Sequence, residues 1–359
     1  MSGRDEIRES SRLFFADAIR TYAIILVVLL HVSGTFVVQF EIIDPSAWWI
    51  MNIIDSFSRP AVPLFVMISG MFLLDPARQQ GTVAFFKNRL SRIALPFLGW
   101  AMIYLAWRMI YHAESITPEH AVKEIILGPV YTHLWFIYMI IGLYLLTPVL
   151  RIYVRFSSRR NQIYFLVLWF VFASLLPVID RYLNLESGIN RPVFQCLGYY
   201  LLGHMLRGHR LGRRQMRWAL VLVVALTAFT AVGSYVLTTR NGGVFDGLLF
   251  GNSSPNVFLM SIAVFLLLKS LDYAKFNERV PGFSRITIWI ASASFTIYLS
   301  HPVILELYQG GMLGFRLNAM TIHPLIGLFV TTLATIAVCL LFAMALRPVP
   351  VVRRFINYG

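Results

Sequence analysis

Acidic residues are scarce in this chain. There are 17 Asp and Glu against 31 Lys and Arg in 359 residues, and charged residues of both signs make up only 13%. That is about half the roughly 25% of a soluble domain. Cysteine is nearly absent. Cys196 and Cys339 each sit inside an apolar run, which excludes a disulfide framework and a cysteine-based metal site. No polar stretch is long enough to form a separate soluble domain. Soluble catalytic signatures are missing too: there is no G-x-S-x-G elbow, no Walker loop and no dinucleotide glycine fingerprint. What fills the chain is hydrophobic residues, at 58%, with a mean hydropathy of +0.69.

Those residues come in long runs, and a membrane span needs about 20 mostly apolar residues. Ten runs qualify, near 16–40, 49–74, 92–112, 133–152, 162–180, 192–207, 217–238, 254–271, 287–308 and 323–346. The sixth is the shortest. The expected architecture is therefore an all-α polytopic membrane protein of about ten transmembrane helices, one integral-membrane domain over 1–359. The first run is too long for a signal peptide and no small-residue cleavage site follows it, so it reads as an uncleaved span. The net charge of +14 does not indicate nucleic acid, because the cations cluster in short loops. Of the 31 Lys and Arg, 24 fall in the N-terminal segment, the even-numbered loops and the C-terminus, five in the odd loops, and Arg59 and Arg108 inside spans. By the positive-inside rule both termini are cytoplasmic.

The first span, "DAIRTYAIILVVLLHVSG", carries Asp17, Arg20 and His31. Arg20 and His31 are eleven residues apart, close to three helical turns, so they share a face about 16 Å apart along the axis. Asp17 can pair with Arg20 at i,i+3. Arg20 reads either as a flanking arginine that snorkels to the headgroups or as a site cation. His31 reads either as an interhelical hydrogen bond or as a general base in a cavity. In the second span, Arg59 precedes Pro60 and Pro63, which should break the helix regularity. Ser69-Gly70 further on allows close helix packing or lines a cavity. Arg89 and Arg92, three apart before the third span, fit either a topology signal or a bidentate phosphate clamp. His133 and Trp135 open the fourth span at the outer interface, and Tyr298 and His301 lie in the ninth, where His301-Pro302 can also end or kink the helix.

Taken together, the R-x10-H of Arg20 and His31, "SRPAVPLFVMISG" from Ser58, the R-x-x-R of Arg89 and Arg92, "HLWF" from His133 and "YLSHP" around His301 resemble the acyltransferase-3 family of bacterial membrane O-acyltransferases. The resemblance covers nearly the whole chain. "SGMF" departs mildly from the commoner SGF or SGY, and no appended extracytoplasmic hydrolase-like domain follows.

That resemblance implies transfer of an acyl group, usually acetyl, from acyl-CoA to a hydroxyl of a glycan or lipid-linked saccharide, at a bacterial inner membrane. It makes acetyl-CoA the co-substrate, with no metal and no nucleic-acid partner. His31 becomes the essential histidine, with Arg20 as its paired cation and Asp17 beside it. Arg89 and Arg92 hold the CoA phosphates. Arg59, Ser69, His133, Trp135 and His301 are cavity candidates. Two other readings fit the physics of ten spans with buried polar groups: a transporter or flippase for a glycan or small solute, which gains no support from a visible repeat, and a pH sensor reading through His31.

Overall fold

The computed structural model describes residues 3–76, 81–183 and 192–346. Among the described residues every regular element is helical: α1 (Gly3–Val37), α2 (Pro45–Ser58), α3 (Ala61–Leu73), α4 (Thr82–Tyr111), α5 (Pro118–Leu127), α6 (Trp135–Phe156), α7 (Arg159–Phe170), α8 (Leu176–Leu183), α9 (Pro192–Met205), α10 (Arg213–Arg240), α11 (Pro255–Ser270), α12 (Tyr273–Arg279), α13 (Phe283–Gly310) and α14 (Pro324–Leu346). Nine helical segments among them are long and apolar enough to cross a membrane. The chain is an all-α polytopic membrane protein.

Helix α1 is the axis of the bundle. It packs against α2, α3, α11, α13 and α14, and Ile19, Ala23, Ile24, Val28 and Val32 along it are fully buried. Helices α7 and α10 lie at the rim. Val221, Val224, Phe229 and Val232 on α10 are exposed, which in a bilayer is the face that meets lipid.

Local chemistry sets the breaks. Asp44 caps α2 by accepting from the Ser46 hydroxyl and from the backbone N–H of Ser46 at 2.9 Å and Ala47 at 3.2 Å, and these bonds, the hydroxyl's first, hold its carboxyl below the usual carboxylate range. The second span divides at Pro60, between the end of α2 at Ser58 and the start of α3 at Ala61, because proline offers no N–H to continue the ladder. Helix α4 begins ten residues before the expected span. Nothing from Thr82 to Leu95 is Gly or Pro, so helix propensity carries the structure back to the Gly81 cap and places Arg89 and Arg92 on a helix. Between the third and fourth spans the unexpected α5 folds over. Arg108 binds its Glu124 at 2.6 Å, Glu114 at 2.6 Å and the Val130 carbonyl at 3.0 Å.

The sixth expected span, 192–207, is not among those nine. At 14 residues and 1.5 Å per residue, α9 is about 21 Å long, less than the roughly 30 Å hydrocarbon core. It survives by burial rather than by crossing alone. Gly70 on α3 and Gly203 on α9 form reciprocal contacts: a Cβ on Gly70 would lie 1.8 Å from the Tyr200 carbonyl oxygen, and one on Gly203 would lie 1.9 Å from that of Met67. Lys269 closes the end of α9 by donating to the carbonyls of Leu206 at 2.6 Å, Arg207 and His209 at 2.9 Å.

Candidate active site

Two groups of polar side chains meet α1, one near each end of its buried length. The first is a cleft of about 450 Å³ lined by Asp17, Arg20, Ser69, Phe72, Arg89 and Tyr144, among others. That volume suits a small-molecule site. Arg20 donates to Asp17 at 3.0 Å, as the i,i+3 spacing predicts, yet it stays 40% exposed. Its guanidinium lies 6.0 Å from the Phe72 ring centre. Ser69 spends its hydroxyl hydrogen on the Phe65 carbonyl at 2.8 Å, so towards the cleft it can only accept. Arg92 does not line the cleft, but together with Arg20 and Arg89 it acts electrostatically on Tyr144. No carboxylate forms a salt bridge with Arg89 among the described residues. The cleft is therefore cationic and open, a natural receptor for phosphate oxygens.

The second group is a run of three histidines from three elements. His31 on α1 and His301 on α13 meet edge to face, ring centres 4.6 Å apart. His133, from the turn that opens α6, sits 5.6 Å from His301. The chain aims two of these rings, His31 and His301, through backbone carbonyls. His31 Nδ1 lies 2.8 Å from the Val27 carbonyl oxygen. A carbonyl only accepts, so Nδ1 carries the hydrogen and the neutral ring keeps its lone pair on Nε2. At His301 the cause is Pro302. Helix α13 runs straight through this proline, which cannot donate to the carbonyl four residues back, that of Tyr298. His301 Nδ1 donates there instead, at 2.9 Å, sharing with Ile297 at 3.0 Å. His301-Pro302 neither ends the helix nor is incidental, because the proline creates the vacancy that orients the histidine. Nε2 of His301 is buried without a partner.

His133 is buried and Trp135 half-buried. His133 owes this to Tyr298, which holds its carbonyl, and to Tyr104 and Tyr298, which pack its ring at 4.9 and 5.3 Å. Trp135 packs against the core beside Phe136, apart from both groups. Arg59 pairs with Asp55 four residues earlier, covers the Phe250 ring at 4.1 Å and lies within electrostatic range of His31. Its Nε is buried and unpartnered.

The structure thus sorts the sequence candidates. Asp17, Arg20, Ser69 and Arg89 come together in the cleft, with Arg92 nearby. His31, His133 and His301 come together deeper in the bundle, with Arg59 beside His31. Three residues escaped the sequence reading. Tyr144 had no signal beyond being one tyrosine among many. Asp55 had one, since a carboxylate four residues before an intramembrane arginine is an i,i+4 partner. Glu306, five residues beyond His301, accepts from Trp107 Nε1 at 2.6 Å, from His112 Nε2 at 3.2 Å and from Tyr131. An acid inside the ninth span should have pointed to such partners.

A guanidinium-lined cleft and a carbonyl-oriented imidazole thus lie along one helix. No curated protein and no solved structure matches the chain. A family model described as an acyltransferase domain matches residues 13–344. That match takes in both polar groups and all but the ends of the chain, so the protein belongs to the acyltransferase-3 family of membrane acyltransferases.

Proposed function

We propose that the protein is an O-acyltransferase of a bacterial inner membrane. It moves an acetyl or other short acyl group from cytoplasmic acyl-CoA to a hydroxyl of a cell-surface glycan or its lipid-linked precursor. The single observation that carries this reading is the hydrogen bond from His31 Nδ1 to the Val27 carbonyl. It leaves Nε2 as a lone-pair base on the same helix face as Arg20.

The donor's phosphates cannot enter hydrocarbon. In this reading they stay at the arginine-rich face, where Arg20, Arg89 and Arg92 offer guanidinium forks, and the thioester arm extends along α1 towards His31. His31 Nε2 takes the proton of the acceptor hydroxyl as its oxygen attacks the thioester carbonyl. The C–O bond forms and the C–S bond breaks. The thiolate leaves and recovers the proton from His31, so no proton is lost or gained overall. Negative charge gathers on the carbonyl oxygen at the tetrahedral stage. The unpartnered Nε–H of Arg59 is the donor available near His31 to stabilise it. His301 packs edge-on against His31 and limits how far that ring can turn.

The motif set also resembles that of the inner-membrane O-acetyltransferase of enterobacterial common antigen synthesis, so the lipid-linked precursor of such a glycan is the first acceptor to test. The test is mass spectrometry of envelope glycans from cells with the protein, without it, and with His31→Ala inserted at normal level. The expected result is one acetyl increment that disappears in the last two. Unchanged acetylation in His31→Ala overturns the reading. Solute movement independent of acyl-CoA favours the transporter.

A further inference from the structure

Tyr144, on α6, lines the cleft and takes no part in the transfer step described above. It is only 8% exposed, yet its hydroxyl is not sealed in the protein and makes no hydrogen bond among the described residues. Other buried tyrosines spend their hydroxyls inside the bundle. Tyr104 donates to the Leu299 carbonyl at 2.7 Å, Tyr199 to that of Asn252 at 2.6 Å, and Tyr200 pairs with the Thr147 hydroxyl at 2.8 Å. A hydroxyl that keeps its hydrogen in a mostly buried wall takes its partner from outside the chain. The ring itself is held. It meets Phe85 of α4 edge to face, centres 6.2 Å apart, and Phe85 is fully buried under the Arg151 guanidinium at 4.7 Å. The hydroxyl is therefore presented to the cleft at a fixed place.

The four helices that build the cleft bring different chemistry to it. Helices α1 and α3 contribute acceptors: the Asp17 carboxylate, and the Ser69 oxygen, whose hydrogen goes to the Phe65 carbonyl at 2.8 Å. Arg20, also on α1, is shared with Asp17. Helices α4 and α6 contribute donors, Arg89 and Tyr144. Lone pairs on Asp17 and Ser69 repel an anion, so an anion entering the cleft is drawn to the α4–α6 wall. Arg89, Arg20 and Arg92 all lie within electrostatic range of Tyr144. The acceptor that the hydroxyl lacks is thus one that three guanidiniums also attract, an anionic oxygen. Guanidiniums and a hydroxyl together offer more donors than the two oxygens of a carboxylate can use, and they suit the oxygens of a phosphate.

We infer that Tyr144 is a specificity-determining residue of the cleft, and that its hydroxyl donates to a phosphate oxygen held beside Arg89 on the α4–α6 wall. The arginines supply attraction for any anion within reach. A hydroxyl on a fixed ring adds one direction and so selects among the anions that the charge gathers. The phosphate follows from the cleft; the inference rests on the acyltransferase reading only in naming acyl-CoA as its carrier.

Binding to the full-length protein in nanodiscs tests this without catalysis. The probes are inorganic pyrophosphate and acetyl-CoA. The variant is Tyr144→Phe, which keeps the ring and removes the oxygen. The dissociation constant for each probe should rise about tenfold, the scale of one hydrogen bond to a charged group, with the unfolding temperature unchanged. A neutral donor is little affected by screening, so that factor should hold from low to high sodium chloride, whereas the factor lost in Arg89→Ala should shrink as salt rises. Pyrophosphate binding by Tyr144→Phe within twofold of the unchanged protein overturns the inference, and so does a lack of pyrophosphate binding by the unchanged protein. Phe85→Leu loosens the ring and keeps the hydroxyl. An equal loss of affinity in Phe85→Leu and Tyr144→Phe, with a lower unfolding temperature in both, marks a packing effect and also overturns it. If pyrophosphate binding depends on Tyr144 but acetyl-CoA does not displace pyrophosphate, the acyl-CoA reading fails and the phosphate contact of Tyr144 stands.

Discussion

The arginines that line the cleft are treated differently from those at the opposite face. On the face opposite the cleft, Arg59, Arg108 and Arg181 each meet a carboxylate, at Asp55, at Glu114 with Glu124, and at Asp246. Around the cleft, Arg20 shares a single half-buried aspartate and Arg89 meets none among the described residues. Charge that is neutralised internally holds helices and loops together. Charge left open in a concave site is available to an anion from outside. The histidines add the complementary half of the contrast. His31 and His301 turn Nδ1 to backbone carbonyls, and His133 is buried beside them. Helix α1 therefore joins an open, arginine-lined cleft to a buried group of histidines.

Removing the base should have the largest effect. His31→Ala is expected to lower acyl transfer by about 10²–10⁴, the range of a general base, with acetyl-CoA affinity preserved. Loss of both together would mean that the two ends are not separate. Next comes the cleft. Arg89→Ala combined with Arg92→Ala removes charge-assisted hydrogen bonds of about 1.5–3 kcal/mol each. The acetyl-CoA concentration for half-maximal rate should rise on the order of 100-fold, with maximal rate changed only a few-fold. High salt should weaken donor binding by the unchanged protein in the same direction. A collapse of maximal rate at normal affinity would place these arginines at the reacting atoms instead.

Much of this contrast was legible in the sequence, and the remainder was hidden for identifiable reasons. Nine of the ten apolar runs coincide with helices long and apolar enough to span a membrane, and eleven-residue spacing put Arg20 and His31 along one helix, α1. What spacing along one helix cannot show is which other helix faces it. His301 could be suspected but not placed, because its orientation depends on the carbonyl that Pro302 leaves vacant and on α13 packing against α1. Tyr144 looked like an ordinary tyrosine in an apolar run. Only the packed structure shows that it lines the cleft. Helix α4 started early because the cationic stretch "KNRLSR" lowers hydropathy without lowering helix propensity, and a hydropathy window cannot separate the two.

A packing change sharpens the comparison from the cleft side alone. Gly70→Ala drives a methyl group into the Tyr200 backbone, and overpacking of this kind costs about 1–3 kcal/mol. It pushes α3 from α9 beside Ser69 and away from the histidines. The expected outcome is a lower unfolding temperature and weaker acetyl-CoA binding, with the turnover that remains keeping its normal pH profile. A changed profile would show that α3 packing reaches His31.

The smallest effect is expected at the opposite face, where neutralised charge serves structure. The Arg108 guanidinium beside Glu114 holds its carboxyl below the usual carboxylate range. A carboxyl depressed by folding contributes stability above its unfolded pKa, and that contribution is lost as pH falls through the folded value. Glu114 is exposed and solvent screens it, so the contribution is small. Unfolding temperature measured from pH 7 down past the carboxylate range should fall slightly less steeply in Glu114→Gln than in the unchanged protein, while acyl transfer at pH 7 stays the same. A large loss of transfer would instead tie the loop that carries Glu114 to the reacting centre, and the division between a structural face and a substrate face would have to be redrawn.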